Sequence, residues 1–196
     1  MWKVNEIFHS LQGEGYHTGT ASVFIRLSGC NLHCAFCDTR HEAGTMMSLP
    51  EIVEQVMQYP KAPLIVLTGG EPSLWIDDDF VTCLKQMTGK RIAIETNGTH
   101  PLPHGIDWVT LSPKTGIGNS GDVPLAVTTC DELKVVYLGQ DLAQYNNITA
   151  THRYLQPCWV DDVEQCRRNM QSTVQAVLDN PTWRLSLQTH RILGIN

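Results

Sequence analysis

Three cysteines crowd into the stretch C-N-L-H-C-A-F-C, and their spacing could hold an inorganic site. Cys30, Cys34 and Cys37 follow the apolar run S-V-F-I-R-L-S-G in a C-x3-C-x2-C arrangement. A cubane iron–sulfur cluster ordinarily takes four thiolates, so a loop that supplies three leaves one iron open to another ligand. A zinc site completed by His33 or His41 is the alternative that the spacing alone leaves open. The stretch therefore predicts a metal centre of one of these two kinds.

Other segments place glycines or polar side chains directly after an apolar run. L-I-V-L-T is followed by G-G-E-P, where Gly69 and Gly70 would let a ligand approach the backbone closely. Three later runs end in polar residues, namely Glu95, Thr96 and Asn97, then Ser112, Pro113 and Lys114, and finally Gln156. Such residues suit hydrogen bonding to ribose, carboxylate or adenine groups, although each is equally well explained as a turn residue.

Short apolar runs must position these residues. They cover 22–28, 64–68, 91–96, 108–112, 133–138 and 153–157, and they alternate with helical patterns. This alternation predicts parallel strands joined by crossovers, and thus an α/β fold of the incomplete, minimal (β/α)6 type, a partial TIM barrel. Sites in such barrels gather at the carboxyl ends of the strands, where every motif above falls.

Three helices are predicted between these runs. The first begins at Ser48 with a capping box, and the second covers Asp77 to Met87. The third runs from about Asp161 to Leu178. The expected buried residues are Ile52, Val53, Val56 and Met57 on the first helix, and Val163, Cys166, Met170, Val174, Val177 and Leu178 on the third. The glycine-containing region from about 116 to 129 is expected to be a loop.

Composition limits the classes of function. The 196 residues include 42% hydrophobic and 17% charged residues, which predicts one folded domain spanning 1–196. A formal charge of −6 argues against a nucleic-acid-binding surface and favours a small-molecule substrate. The sequence has neither a signal-peptide pattern nor an apolar stretch long enough to cross a membrane, so we expect a cytoplasmic protein. Seven cysteines, an odd number, favour metal chemistry over a disulfide framework.

The cysteine loop, with Phe36 before its last cysteine, and the G-G-E-P segment together resemble the signature of the radical S-adenosylmethionine (SAM) superfamily. The resemblance implies a [4Fe–4S] cluster on Cys30, Cys34 and Cys37, with SAM chelating the open iron. Electron transfer from the cluster would cleave SAM and release a 5′-deoxyadenosyl radical. By the same resemblance, the SAM site comprises Phe36, Cys37, Asp38, Gly70, Glu71, Ser112, Pro113, Lys114 and Gln156.

Both ends of the chain narrow the resemblance to one branch. E-I-F-H-S-L-Q-G-E-G, C-D-T, E-T-N-G, L-S-P-K, Y-L-Q-P and S-L-Q-T-H-R-I-L-G-I-N are similar to the 7-carboxy-7-deazaguanine synthases of queuosine biosynthesis. That similarity implies conversion of 6-carboxy-5,6,7,8-tetrahydropterin to 7-carboxy-7-deazaguanine with loss of ammonia. It also implies substrate contacts from Leu11, Gln12, Gly13, Arg26, Thr68, His190 and Asn196.

The chemistry of individual residues agrees with these roles. The planar cation of Arg26 suits a bidentate grip on a carboxylate, and Gln12 offers both a donor and an acceptor to an aminopyrimidinone edge. The resemblance implies that Thr39 ligates Mg²⁺, with Asp38 as the rival ligand. It further implies an electron donor such as a flavodoxin, and the short helices favour a homodimer. The alternatives are an activase of glycyl-radical enzymes and a zinc-binding interaction module.

Overall fold

A nine-stranded sheet frames the protein in the computed structural model, which describes residues 1–39, 41–114 and 123–195. Its strands are β1 (Trp2–Leu11), β2 (Ala21–Leu27), β3 (Thr45–Met47), β4 (Leu64–Gly69), β5 (Arg91–Thr96), β6 (Trp108–Leu111), β7 (Thr129–Tyr137), β8 (Thr149–Pro157) and β9 (Arg184–Leu185). Their order across the sheet is β3-β1-β2-β4-β5-β6-β7-β8-β9. Each neighbouring pair from β2 to β9 is parallel, whereas β1 is antiparallel to both β2 and β3.

The six strands predicted from the sequence are the consecutive centre of this sheet, from β2 to β8 without β3. Leu64, Ile65, Val66 and Leu67 of β4 are all buried. Because a central parallel strand is covered on both faces, its sequence is continuously apolar, and this is what made these strands recognisable.

The helices are α1 (Leu49–Met57), α2 (Asp78–Thr88), α3 (Val163–Asp179) and α4 (Thr189–Leu193), with short 3₁₀ turns at Pro72–Leu74 and Leu142–Tyr145. The predicted capping box starts α1, since the Ser48 N–H donates to the Glu51 carboxylate at 2.6 Å. Asp77 caps α2 by accepting the Phe80 N–H at 2.8 Å. Gly89 ends α2 in the left-handed region, at φ +65°.

Two predicted apolar faces are partly wrong. Met57 at the end of α1 is exposed, although Ile52, Val53 and Val56 are buried as expected. On α3 the side chains of Val163 and Leu178 are 78% and 70% exposed, and Val174 is also exposed. The buried residues of that helix are instead Thr173 and Ala176. The helix packs on β8 and the two-residue β9 at one end of the sheet, where small side chains permit close contact and the larger ones fall outside it.

The two faces of the sheet have different partners. Val23, Ile25, Ile65, Leu67, Ile92 and Ile94 pack with α1 and α2. On the opposite, inner face, Phe24, Val66 and Ala93 pack with Phe8 and Trp108. The first and last strands of the described sheet do not pair, and residues 97–107 join β5 to β6 without a helix. The predicted minimal, open barrel with abbreviated helices is therefore confirmed. None of the helices in the described ranges combines the length and apolar character needed to cross a membrane.

Candidate active site

The inner face changes from apolar to polar toward the carboxyl ends of the strands. Phe24, Val66 and Ala93 are followed two residues later by Arg26, Thr68 and Glu95, which point to the same face because side chains alternate along a strand. These polar residues border a cavity of about 630 Å³. The cavity lies where the partial barrel was expected to hold its site.

The three cysteines of the predicted cluster loop, Cys30, Cys34 and Cys37, all line this cavity. Gly70 allows the end of β4 to approach the loop, because a Cβ there would lie 2.0 Å from the Gly29 carbonyl oxygen. The Glu71 N–H donates to that same oxygen at 2.9 Å. The glycine predicted at the strand end is thus required by close packing against the cysteine loop.

The donor set fits a cluster better than a single ion. In the described ranges, no three His, Cys, Asp or Glu side chains converge as ligands of one metal ion, so the Cys3His zinc site is not assembled. Each thiolate of a cubane binds a different iron, which spreads the sulfur atoms around a larger object. Three thiols around one cavity, with no fourth cysteine ligand supplied by the loop, match a [4Fe–4S] cluster with one open iron.

Glu71 is fully buried and does not line the cavity. Its carboxylate accepts hydrogen bonds from the Ser73 hydroxyl at 2.7 Å, the Thr96 hydroxyl at 2.7 Å and the Asn97 N–H at 2.7 Å. A buried carboxylate with this many donors ties the end of β4 to the end of β5. In the structure it holds the cavity wall together from behind.

The other residues of the predicted SAM site, apart from Pro113, line the same cavity: Phe36, Cys37, Asp38, Gly70, Ser112, Lys114 and Gln156. The Lys114 ammonium donates to the Ser112 hydroxyl at 2.7 Å and lies 5.8 Å from the centroid of the Phe36 ring. Burial lowers the pKa of Lys114. Pro113 is buried between Ser112 and Lys114 and does not reach the cavity.

The predicted substrate residues within the described ranges also converge here: Leu11, Gln12, Gly13, Arg26, Thr68 and His190. Asn196 lies outside the described residues. Arg26 is held by Glu6, since its Nε donates to the Glu6 carboxylate at 2.7 Å, and it lies over the Phe8 ring at 5.5 Å. This pairing uses the Nε edge of the guanidinium and leaves the Nη atoms for a ligand.

A buried ionic network was missed by the sequence analysis. The Lys134 ammonium donates to Glu14 at 2.5 Å and to Glu95 at 3.4 Å, and all three residues line the cavity. The Gln12 amide donates to the other oxygen of Glu95 at 2.9 Å, and the Gln188 amide donates to Glu14 at 2.8 Å. Two carboxylates of the wall are thereby fixed in position by one lysine and two amides.

Charge pairing outweighs burial in this network. Burial alone would raise the pKa of Glu14, but the attraction and hydrogen bond of Lys134 lower it to about 2. Burial would lower the pKa of Lys134, and Glu14, Glu95 and Glu132 raise it above its ordinary value instead. One pattern in the sequence could have indicated this network. In β7 the charged residues Glu132 and Lys134 alternate with apolar residues, which places both charges on the inner face of the sheet.

The segment that contains α4 roofs the site. The Thr189 N–H and hydroxyl both donate to the Gly13 carbonyl at 2.9 Å. Arg191 pairs with Asp38 at 2.9 Å, and the Gln188 amide also reaches Asp38 at 3.1 Å. The roof therefore joins the loop after β1 to the cysteine loop and brings His190 to the cavity.

The chain is similar to known proteins in family, sequence and structure. Residues 24–116 match the radical SAM superfamily model. A Bacteroides thetaiotaomicron protein named 7-carboxy-7-deazaguanine synthase is 56% identical over 195 residues, covering 100% of this chain and 99% of that protein. A Nitratidesulfovibrio vulgaris protein of the same name is 40% identical, with 99% of each chain covered. The crystal structure of QueE from Escherichia coli superposes with a TM-score of 0.70 at 28% identity, covering 95% of this chain and 93% of the other.

Proposed function

Because the chain belongs to the 7-carboxy-7-deazaguanine synthase family of radical SAM enzymes, we propose that it converts 6-carboxy-5,6,7,8-tetrahydropterin to 7-carboxy-7-deazaguanine with loss of ammonia. One observation carries the proposal. Residues implied for the cluster, for SAM and for the pterin are scattered from Leu11 to His190, and those that reach a cavity all reach the same one. Neither the glycyl-radical activase nor the zinc module has an observation in its favour.

Cys30, Cys34 and Cys37 would hold the [4Fe–4S] cluster, and the predicted SAM residues other than Glu71 and Pro113 border the same space. When bound, the cluster and SAM supply the 5′-deoxyadenosyl radical that abstracts a hydrogen atom from the pterin. The chain's own residues have to orient both ligands and exclude water. Phe8, Phe24 and Trp108 pack together on the inner face, and Phe8 and Phe24 form an apolar part of the cavity wall.

Arg26 is assigned to the substrate carboxylate. Glu6 holds its Nε, so the two Nη groups can form the parallel hydrogen bonds that a carboxylate accepts. The opposite end of the pterin carries amino and ring N–H donors, which require acceptors. Glu14 and Glu95, both paired with Lys134, supply carboxylate acceptors, and Gln12 lies beside them with its amide donating to Glu95. The substrate would thus lie between a cation and two anions of the wall.

Thr39 is assigned to Mg²⁺ in preference to Asp38. Both residues line the cavity, but Asp38 is already engaged by Arg191 and Gln188. Within the described ranges, the Thr39 hydroxyl has a long contact to Asp38, at 3.4 Å, and no shorter one. Mg²⁺ retains several waters and accepts few protein oxygens, so one hydroxyl together with substrate oxygens is a sufficient site.

A flavodoxin-type electron donor, a homodimer and a cytoplasmic location complete the proposal. The cluster needs a one-electron reductant, and the cysteine loop is accessible to one because Cys37 is exposed. The homodimer is supported by the exposed apolar residues of α3 on a minimal barrel. Each of these remains a prediction.

The test is product formation by the anaerobically reconstituted protein. With SAM, Mg²⁺, a reductant and the carboxypterin, we expect the deazapurine and ammonia, measured by mass spectrometry. Cys34→Ala should lose both the visible absorbance of the cluster and SAM cleavage, whereas Cys83→Ala on α2 should keep both. No product from wild-type protein with an intact cluster would contradict the proposed reaction, and full SAM cleavage by Cys34→Ala would contradict the ligand assignment.

A further inference from the structure

Ser186 lies directly behind the cavity wall and is not among the residues assigned to the cluster, to SAM or to the pterin. It follows β9 and is 2% exposed. Its backbone N–H donates to the Leu155 carbonyl at 2.9 Å, which anchors it beside β8. A buried hydroxyl must have hydrogen-bond partners, and the identity of those partners is informative here.

The Ser186 hydroxyl joins two parts of the site. The Gly15 N–H donates to Ser186 Oγ at 3.0 Å, and Ser186 Oγ donates to Gln156 Oε1 at 2.9 Å. Gly15 directly follows Gln12, Gly13 and Glu14, which line the pterin side of the cavity, whereas Gln156 belongs to the SAM side. A single side chain therefore bridges the two ligand sites.

The direction of each hydrogen bond follows from the chemistry of the groups. The Gly15 N–H can only donate, and a serine hydroxyl has one proton to give. If the Gln156 oxygen and nitrogen were exchanged, Ser186 Oγ would accept hydrogen bonds from both the Gly15 N–H and the Gln156 NH₂ group. The buried proton of the Ser186 hydroxyl would then lack an acceptor at Gln156. The Gln156 oxygen is thus fixed toward Ser186. Its NH₂ group has no hydrogen-bond partner among the described residues and is left as a donor to the cavity that Gln156 lines.

Gly15 cannot move independently of Ser186. Gly15 has φ +63°, and a Cβ there would lie 1.9 Å from Glu132 Oε1. The next residue, Tyr16, donates its N–H to Glu132 Oε2 at 2.9 Å. Gly15 is thus wedged between Glu132 and Ser186, so a shift of the loop is transmitted to the serine hydroxyl.

We infer that Ser186 is a positioning residue that couples pterin binding to SAM binding, an inference that rests on the proposed function. Pterin bound against Gln12, Gly13 and Glu14 shifts Gly15 and with it the Ser186 hydroxyl, and the hydroxyl sets the position of the Gln156 amide as a donor to SAM. Coupling of two binding equilibria is reciprocal, so SAM must tighten pterin binding by the same factor.

The test measures SAM affinity of the anaerobic holoenzyme by equilibrium dialysis, without reductant so that no turnover occurs. In wild-type protein, saturating 6-carboxy-5,6,7,8-tetrahydropterin is expected to lower the Kd for SAM by about five-fold or more, within the usual range of coupling between sites. In Ser186→Ala the two Kd values should agree within about two-fold. Ser186→Thr retains the hydroxyl and should retain the coupling.

Thr173→Val is the matched control, because Thr173 also carries a buried hydroxyl, whose hydrogen bond goes to the Asn169 carbonyl within α3 and not to the cavity wall. It should keep the wild-type ratio of SAM affinities even if its melting temperature falls. Equal Kd values in wild-type protein, or an unchanged ratio in Ser186→Ala, would overturn the inference. Deazapurine formation by the same wild-type preparation separates these outcomes from a failure of the proposed reaction.

Discussion

At the scale of single residues, Arg26 depends on a neighbour for its orientation. Glu6 binds the Nε edge of the Arg26 guanidinium, and the Phe8 ring lies against its face. These two contacts restrict the rotamers of Arg26 and leave its Nη atoms for a ligand in the cavity. An arginine fixed in this way loses less conformational entropy when it grips a carboxylate. Glu6 itself is half exposed, so the strength of the pair is limited by solvent.

Glu6→Gln should therefore weaken pterin binding without changing the chemical step. We expect the KM for pterin to rise about five-fold, corresponding to about 1 kcal/mol, with kcat unchanged. Steady-state kinetics at saturating SAM measure both constants. Glu54→Gln, an exposed carboxylate of α1, is the matched control. A fall in kcat at constant KM would mean that Glu6 acts in the reaction and not through Arg26.

At the scale of elements, β7 carries two charged residues toward the inner face of the sheet. Lys134 is paired. Glu132 has one oxygen bonded to the Tyr16 N–H and one buried oxygen, Oε1, that has no hydrogen-bond partner in the part of the chain that the structure describes. Burial raises the pKa of Glu132 to about 6, against the lowering effect of Lys134. Ionising this carboxyl therefore costs more in the folded protein than in the unfolded chain.

The stability of the protein should depend on pH through Glu132. Because its folded pKa of about 6 exceeds the ordinary value of 4.5, its stabilising contribution is complete below about pH 4.5 and is lost as pH rises through about 6. The full difference is about 2 kcal/mol, of which about 1 kcal/mol falls between pH 5 and pH 8.

Glu132→Gln removes this ionisation. Between pH 5 and pH 8, the melting temperature of the wild-type protein should fall by about 2–4 °C relative to that of the variant. Thermal unfolding monitored anaerobically across this range measures the difference, with Glu54→Gln expected to follow the wild type. Parallel curves for wild type and Glu132→Gln would show that Glu132 keeps an ordinary pKa.

The elements that the sequence analysis missed share a physical cause. β1 lies near the sheet edge with alternating, half-exposed residues, and β3, β9 and α4 contain two to five residues each. Such elements are formed by their tertiary neighbours and have little pattern of their own. The central strands were predictable because burial on both faces makes them continuously apolar. Helix α3 was found, but its contact face depended on which strands it would meet.

The residues of the site also differ in how well the sequence predicts them. The cysteines and the strand-end residues occur in local motifs, so the sequence could bring them together through the barrel topology alone. Lys134 occurs in no motif. Glu14 and Gln188 lie in the two terminal segments that resemble the family, but nothing local indicates their pairing, because the hydrogen-bond partners of all three residues are 39 to 174 residues away in the chain. Pairings over such separations become visible only when the sheet and the roof are both assembled.

At the scale of the whole molecule, the open sheet and the sparse helices leave apolar side chains uncovered. Val163 and Leu178 stand on the outer side of α3, away from the contact that Thr173 and Ala176 make with the sheet. The organisation as one domain over 1–196 and the homodimer both remain predictions. A second copy is the partner that a symmetric assembly supplies without any other protein.

Sedimentation equilibrium of the holoenzyme should give a mass of about 44 kDa, twice the 21.9 kDa of the chain. Leu178→Lys places a charge on the exposed side of α3 and should shift the equilibrium toward monomer if that face is used. Lys61→Leu is not expected to do so, because Lys61 lies in the turn after α1. A mass of about 22 kDa at all concentrations would rule out the homodimer.

The roof over the cavity also determines when the site can form during synthesis of the chain. The bonds that join it to the loop after β1 span 171 to 176 residues of sequence. At ribosomal rates of roughly 5–20 residues per second, the roof segment is made about 10–30 s after that loop. The cysteine loop, by contrast, is made within seconds of it. During most of its synthesis the nascent chain therefore carries an uncovered cysteine loop, and the roof covers the cavity only after translation has passed Arg191.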